Sequence, residues 1–431
     1  MALIATAQIQ SEAKLSGTIT DPRGAVIPGA QIAAEMISSS GAGETIHGVS
    51  SGEGTFCLTL APGRYRITIS RDSFTKSEEE ISIAAGETRE EQFHMALEPL
   101  SSQVVVTAQT LPIEAESSPT PATILTREQI EQRAATSLPN LLATQPGLSM
   151  GRTGAEGGTA ALFLDGGNSN YTKVLVDGAP INTPGGLVDF SNFTLANVDK
   201  IEIVHGAESV LYGSDAMDGV IQIFTRRGTT RVPEFTAYAD GGNFSSGHGG
   251  ADLSGLLGRF DYSAGVADLE TAGQGPNDAF RDRTLSGNFG WRFSDTAHTS
   301  LSLRDNVSDA GTPGQTLLGP ADLTDSIALH NFSANLLSEF MTDSHWHHQL
   351  DATEFYFREL NNSSFGPTLY QYNVSRVAGQ STYLVKTFSI TAGYEYDVEN
   401  GFISYIGYHA RRNNQAGFLD AQWQPLARLT L

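Results

Sequence analysis

Apolar and polar positions alternate with a period of two along most of this chain. In GRYRITISR, Tyr65, Ile67 and Ile69 are apolar while Arg64, Arg66, Thr68 and Ser70 are polar, and the turn APG leads in. That pattern predicts a half-buried strand. Similar runs recur as KLSGTITDPRG, IPGAQIAAEMI, GEGTFCLTL and EEISIAAGETREEQFHMAL. Several short strands at regular spacing predict a small β-sandwich over residues 13–98. The lone cysteine, Cys57 in TFCLTL, is expected as a buried strand residue, and a single cysteine excludes both an internal disulfide framework and a Cys-rich metal site.

The texture changes at residue 99. SSQVVVTAQTLPIEAESSPTPA has a short β-branched centre set among Ser, Pro, Glu and Thr, so residues 99–119 are expected to be an extended, mobile linker. Thr126 with Gln129 three residues on forms a capping box for the helix TREQIEQRAA. A second short helix is predicted at SLPNLLATQPG, with Ser137 as cap, Pro139 in the first turn and Gly147 past the end. Gly-rich loops, the strand and turn KVLVDGAPIN, and DKIEIVHGAESVLYGSDAMDGVIQIFTRRG follow. In the last of these a small-residue turn, with Gly213 and Gly219, joins two apolar runs that two arginines end. Short helices and strands over residues 120–230 predict a compact α+β domain.

Beyond Pro233 the alternation becomes continuous. Phe260, Tyr262, Ala264 and Val266 share one face, Asp261, Ser263, Gly265 and Ala267 the other. Leu285, Phe289, Trp291 and Phe293 repeat the pattern, as do Phe332, Ala334 and Leu336, and Tyr394, Tyr396 and Val398. Aromatic residues near strand ends, alternating short and long connections, and small polar residues on the opposite face favour a transmembrane β-barrel over a soluble sandwich.

Charge and motif content remove other classes. Lys and Arg total 26 against 48 Asp and Glu, a net charge of −22, and no basic stripe offers a footprint for nucleic acid. No nucleophile, base and orienting residue fall at a recognisable spacing, so no catalytic residue and no cofactor are assigned and the chain reads as a non-enzyme. HWHH puts His345 and His347 on one face and His348 on the other, which predicts a polar patch, and no metal ligand is assigned. DGGNSN has calcium-like oxygens without calcium-loop spacing, and GRTGAEGG lacks phosphate-loop context. Both read as exposed loops. Residues 1–12, with Ala5-Thr6-Ala7 before Gln8, read as the end of a signal peptide or a frayed terminus.

These stretches resemble known families. SGTITDPRGAVIPGAQI, GEGTFCLTL and LAPGRYRITI resemble the carboxypeptidase regulatory-like family, a transthyretin-like or Ig-like sandwich, which implies a docking or folding module without peptidase activity. VVVTA, KVLVDGAPIN and VDKIEIVHGAESVLYGSDAMDGVIQIFTRRG resemble TonB-dependent outer-membrane receptors. That resemblance implies a mainly β chain: sandwich, linker with TonB box, α+β plug, and over 231–431 the N-terminal part of an antiparallel transmembrane barrel of about 22 strands. It implies that Val104, Val105, Val106, Thr107 and Ala108 pair with TonB by β-augmentation, and that Asp177, Gly178, Tyr212, Gly213, Ser214, Asp215 and Gly219 form the plug signature. It implies TonB, outer-membrane lipid, and a chelate or oligosaccharide ligand as partners. The sandwich and TonB box are expected on the periplasmic side of a Gram-negative outer membrane. The plug apices 151–158 and 165–170 supply the ligand-binding candidates Arg152, Glu156, Asp165, Asn168 and Asn170.

The chain departs from the receptor pattern at three positions. Asp165-Gly166 and His205-Gly206 stand where the family usually has Arg-Gly, and Asp218 replaces a small residue. The reversed charge predicts disturbed seating or gating of the plug. About 200 residues follow the plug, roughly half of what a barrel of about 22 strands needs, so the chain is expected to be a fragment, because an open barrel edge is not tolerated in lipid. The function expected is energy-coupled uptake of an iron chelate, cobalamin or oligosaccharide. The alternatives are a secreted or surface all-β protein that binds carbohydrate or protein, or an inactive receptor fragment.

Overall fold

A computed structural model describes residues 13–21, 24–38, 41–71, 74–95, 105–106, 113–114, 121–154, 156–315, 319–385 and 387–423. The chain divides into two units, 1–103 and 104–431.

The first unit is two sheets. One has Ala13–Thr20 at its centre, antiparallel to Thr55–Leu60 and parallel to Thr88–His94. The other runs Gly41–Val49, Gln31–Ser38, Gly63–Arg71, Phe74–Ile83. Alternation decides what is buried: Tyr65, Ile67 and Ile69 join Leu15, Ile19, Ile32, Leu60 and Phe93 in a single core, and the Tyr65 hydroxyl donates to the Ala61 carbonyl at 3.0 Å. Cys57 does not follow the expectation. It is exposed, because Phe56, Leu58 and Leu60 occupy the inward positions of TFCLTL and the period of two sends Cys57 outward. Truncating Ile67, fully buried, to Ala is expected to cost about 3 kcal/mol by urea unfolding, whereas Cys57→Ser is expected to be near neutral.

In the second unit, Val105–Val106 pairs antiparallel with Ile113–Glu114. Val104, Thr107 and Ala108 lie outside the described residues. The next body is a five-stranded sheet, ordered Ala122–Thr126, Val198–His205, Gly219–Thr225, Thr172–Val176, Ala179–Pro180. The hairpin Leu148–Arg152 and Ala160–Leu164 accompanies it. The helix Arg127–Gln132 begins with both halves of its capping box formed. The helix Leu138–Leu142 follows Ser137, whose side chain makes no capping bond. Backbone pairing anchors that start instead: Ser137 bridges to Thr194, and the Leu138 N–H donates to the Phe193 carbonyl.

Ten strands, from Glu234–Gly242 to Tyr408–Trp423, form one antiparallel sheet in sequence order. Successive turns alternate between its two ends: short ones at 258–259, 295–296 and 342–345, longer loops at 272–279 and 312–325. Its polarity is inside out. In Phe260–Thr271 the polar or small positions Asp261, Ser263, Gly265 and Ala267 are buried while Val266 is 49% exposed. In Phe280–Ser294, Asp282, Thr284, Ser286 and Asn288 are buried while Leu285, Phe289, Trp291 and Phe293 are exposed. Exposed aromatics lie at both ends, Trp291, Phe293, Phe340, Trp346, Phe388 and Trp423 at the short-turn end and Phe244, Phe365, Tyr405 and Tyr408 at the other, as two interfacial girdles would. No helix among the described residues is long and apolar enough to cross a membrane.

Candidate functional site: a plug stitched to a wall

The buried face of the ten-stranded sheet holds short polar side chains because it meets the backbone of the five-stranded body. Loop 192–197 has no strand partners of its own for several carbonyls, and a buried carbonyl needs a donor. The sheet supplies them. Arg304, 3% exposed, donates to the carbonyls of Ala196 at 3.0 Å and Thr194 at 2.7 Å, its guanidinium lying 4.2 Å over the Phe193 ring. Asn306 donates to the Asn192 carbonyl at 2.9 Å. Thr194 donates to Thr284 at 2.7 Å, and Asn197 reaches Ser263 and Ser286 while its N–H donates to Asp252. Asn288 bonds Thr225 at 3.0 Å, and Asn335 donates to the Asp177 carbonyl.

The signature residues divide between the two ends of the parallel pair Thr172–Val176 and Gly219–Thr225. At one end Asp177 and Gly178, with φ of 48° and 89°, form the turn, and the Asp177 carboxylate accepts from the Thr225 N–H at 2.8 Å and its hydroxyl at 2.6 Å. Burial pushes the Asp177 carboxyl above the usual range, against those two bonds and the Arg227 charge. At the other end Tyr212 closes the helix Ser209–Tyr212, Gly213 follows at φ 81°, and Ser214 leads to Asp215, which pairs with Lys173 at 3.3 Å. Gly219 has no room for a side chain, because a Cβ would collide with the Val204 carbonyl and Leu164.

Asp165 and His205 are partners. His205 Nδ1 lies 2.9 Å from Asp165 Oδ2 and Nε2 lies 3.3 Å from Thr123 Oγ1, so two residues that each break the family pattern meet across the end of the hairpin and the five-stranded sheet. The reversed charge at Asp165 faces an imidazole within the plug. Asp218 is held by its backbone, its carbonyl accepting from Gly206 and its N–H donating to Tyr171.

The other ligand candidates form separate groups. Arg152 pairs with Glu156 at 2.8 Å and with Asn140 at 3.1 Å, at one end of the strand Ala160–Leu164, while Asp165 follows its other end, about 17 Å away. Asn168 accepts from the Ser169 N–H at 2.8 Å, and Asn170 packs beside Gly186. In the apex after Glu156, Gly157 (φ 85°) sits against Phe280 and Ala310 with no space for a Cβ. A cavity of about 20 Å³ beside Arg304 and Asn331 has room for a single water and no nutrient. His345, His347 and His348 gather no metal-binding group, and none occurs among the described residues; His348 bonds Ser381 at 2.8 Å and stacks on Trp346.

Residues 114–220 match the TonB-dependent receptor plug domain, and residues 14–96 the carboxypeptidase regulatory-like domain. This is a TonB-dependent receptor chain. A vitamin B12 transporter BtuB of Vibrio vulnificus (strain CMCP6) is 28% identical over 203 residues, 45% of this chain and 33% of the relative. One from Vibrio cholerae (strain M66-2) is 43% identical over 124 residues, 28% of this chain and 20% of the relative. The solved alcaligin outer-membrane receptor FauA of Bordetella pertussis aligns with a TM-score of 0.60 at 17% identity, covering 74% of this chain and 55% of that one. The siderophore receptor PirA of Pseudomonas aeruginosa gives 0.56 at 19%, covering 72% and 54%. The chain thus spans a third or less of the curated relatives and about half of these solved structures. The five-stranded body is the plug, and the ten strands match the barrel wall of such receptors. The family is non-enzymatic and belongs to the Gram-negative outer membrane.

Sequence reasoning missed the stitching residues. Arg304 had a readable signal, a lone cation in register with Ser300, Ser302, Asn306 and Ser308 on the polar face, but nothing in the sequence names its carbonyl partners.

Arg304→Ala is expected to destabilise plug seating by about 3 kcal/mol, read as faster protease cleavage within residues 189–197. Asp165→Arg alone should loosen the plug, because it sets a cation against His205, whereas Asp165→Asn keeps an acceptor and should be mild; thermal unfolding of the two variants compares them. Because the folded Asp177 carboxyl titrates above its unfolded value of ~3.9, its contribution is complete below that value and fades as pH rises through the folded one. Asp177→Asn should remove that pH dependence from unfolding curves.

Proposed function

We propose that this chain serves energy-coupled uptake of a scarce nutrient across the outer membrane: an iron chelate, cobalamin or an oligosaccharide. The observation that carries this reading is the plug–wall seam, since a folded domain held by side-chain bonds inside a lipid-facing wall closes the path without being part of the wall. The relatives named above, a vitamin B12 transporter and siderophore receptors, support the substrate class.

In this reading residues 13–98 form the regulatory-like sandwich, 99–119 a linker with the TonB box, 120–230 the plug and 231–431 wall strands. Sandwich and TonB box face the periplasm. Val104, Val105, Val106, Thr107 and Ala108 pair edge to edge with TonB, and the pull reaches the plug through residues 109–121. Arg152 and Glu156 at one apex, and Asp165, Asn168 and Asn170 at the other, are the proposed ligand contacts. Asp177, Gly178, Tyr212, Gly213, Ser214, Asp215 and Gly219 hold the plug's shape without touching ligand. The outward apolar face of the wall argues against a secreted, soluble binding protein.

The test is uptake of labelled cobalamin and ferric chelates by cells that depend on this receptor. Val105→Pro, which removes a donor from the pairing strand, should reduce uptake about ten-fold or more while leaving surface binding of the ligand intact. Uptake that persists in cells lacking TonB would refute the reading.

A further inference from the structure

The bonds that tie plug to wall are gathered on one side. Among the described residues they run from Arg226 with Glu234 at 2.6 Å, on the first wall strand, to Asn331 with Asn192 at 2.8 Å, on the strand Ser326–Met341. The strands that follow meet the plug in another way. Phe355 and Phe357, with Tyr372 and Val374, pack on its apolar core, to which no described residue of Phe388–Ile403 or Tyr408–Trp423 belongs. Closer to the short turns the inward positions are charged: Asp351, Arg376, Glu395 and Asp397 share the alternation of the buried Thr353, Thr382 and Thr391.

These charges are paired within the wall. Arg376 lies 2.7 Å from Glu395, 3.7 Å from Asp397 and 4.0 Å from Asp351, and Arg412 lies 2.7 Å from Glu399. Across from them the plug presents its own pair, Lys173 and Asp215 at 3.3 Å, and its helix Ser209–Tyr212 lies against Tyr408–Trp423. The Lys173 charge acts on Asp397 and that of Asp215 on Arg412. No hydrogen bond or ion pair among the described residues joins the two sets.

The two sides therefore part at different cost. On the first, a plug carbonyl that loses Arg304 or Asn306 is left buried without a donor. On the second, each surface keeps its ion pairs when the surfaces separate, and entering water restores hydration that buried ions give up.

We propose that the plug pivots on the bonds at residues 192–197 and parts from the wall along Phe388–Ile403 and Tyr408–Trp423, so that the imported solute passes between the Arg376 cluster and the Lys173–Asp215 pair. The proposal rests on the uptake reading above and adds where the path opens.

The test is made in cells that depend on the full receptor, in a Cys57→Ser background, with labelled cobalamin and ferric chelate as probes. Thr194→Cys with Thr284→Cys replaces two hydroxyls 2.7 Å apart, and the disulfide between them should leave uptake equal in oxidised and reduced cells. Ala378→Cys, opposite Asp351 and Glu395, should react with a hydrophilic maleimide about ten-fold faster during uptake than at rest. Ser302→Cys, two residues from Arg304 on the pivot side, should keep its resting rate. Uptake that the disulfide blocks and reduction restores overturns the pivot. Labelling that rises at 302 as much as at 378, or stays unchanged at 378 in cells whose uptake requires TonB, overturns the parting line. An unmodified receptor that shows no TonB-dependent uptake sinks the uptake reading, and the proposal with it.

Discussion

Buried backbone carbonyls that lack strand partners are the constraint on which the second unit depends. Residues 192–197 pass between plug and wall, and each carbonyl there must find a donor or lose the free energy of desolvation. Arg304 satisfies two of them and covers Phe193 as it does so. The cost of burying a guanidinium is offset because both of its terminal nitrogens, Nη1 and Nη2, donate. Without a charge, Asn306 donates to the Asn192 carbonyl and Asn335 to that of Asp177, while Thr284 and Ser286 accept from the Thr194 and Asn197 side chains and Asn288 donates to the Thr225 hydroxyl, which is why this face of the wall is made of short hydroxyl and amide side chains.

That inner chemistry fixes the outer one. A strand that presents Ser, Thr and Asn to the plug presents every second residue, Leu285, Phe289 and Trp291 among them, to the opposite side. The register that turns apolar side chains outward is the one that turns hydrogen-bonding ones to the plug, and a slip of one residue in any strand would ruin both faces at once.

Much of this was legible in the sequence because it is local or periodic. The alternation of Tyr65, Ile67 and Ile69, the capping box at Thr126 and Gln129, the Asp177-Gly178 turn and the two-faced wall all follow from spacings of a few residues. Cys57 was misjudged by a preference of residue type, though its own strand register shows it outward. The Asp165–His205 pair was out of reach: 40 residues separate the two, and only the meeting of hairpin and sheet brings them together. The partners of Arg304 lie 108 and 110 residues away in sequence, so periodicity can mark a polar face without saying what it binds. The ligand candidates divide for a similar reason, since loop composition does not tell which end of a strand a loop occupies.

The most direct test of the inside-out wall is depth-resolved quenching by nitroxide lipids. In a Cys57→Ser background, single cysteines carrying a fluorophore at 285, 301 and 336 would be compared with others at 286, 302 and 335. The account predicts strong quenching at the first set and little at the second. Equal quenching of the two sets, or stronger quenching at 286 and 302, would contradict it.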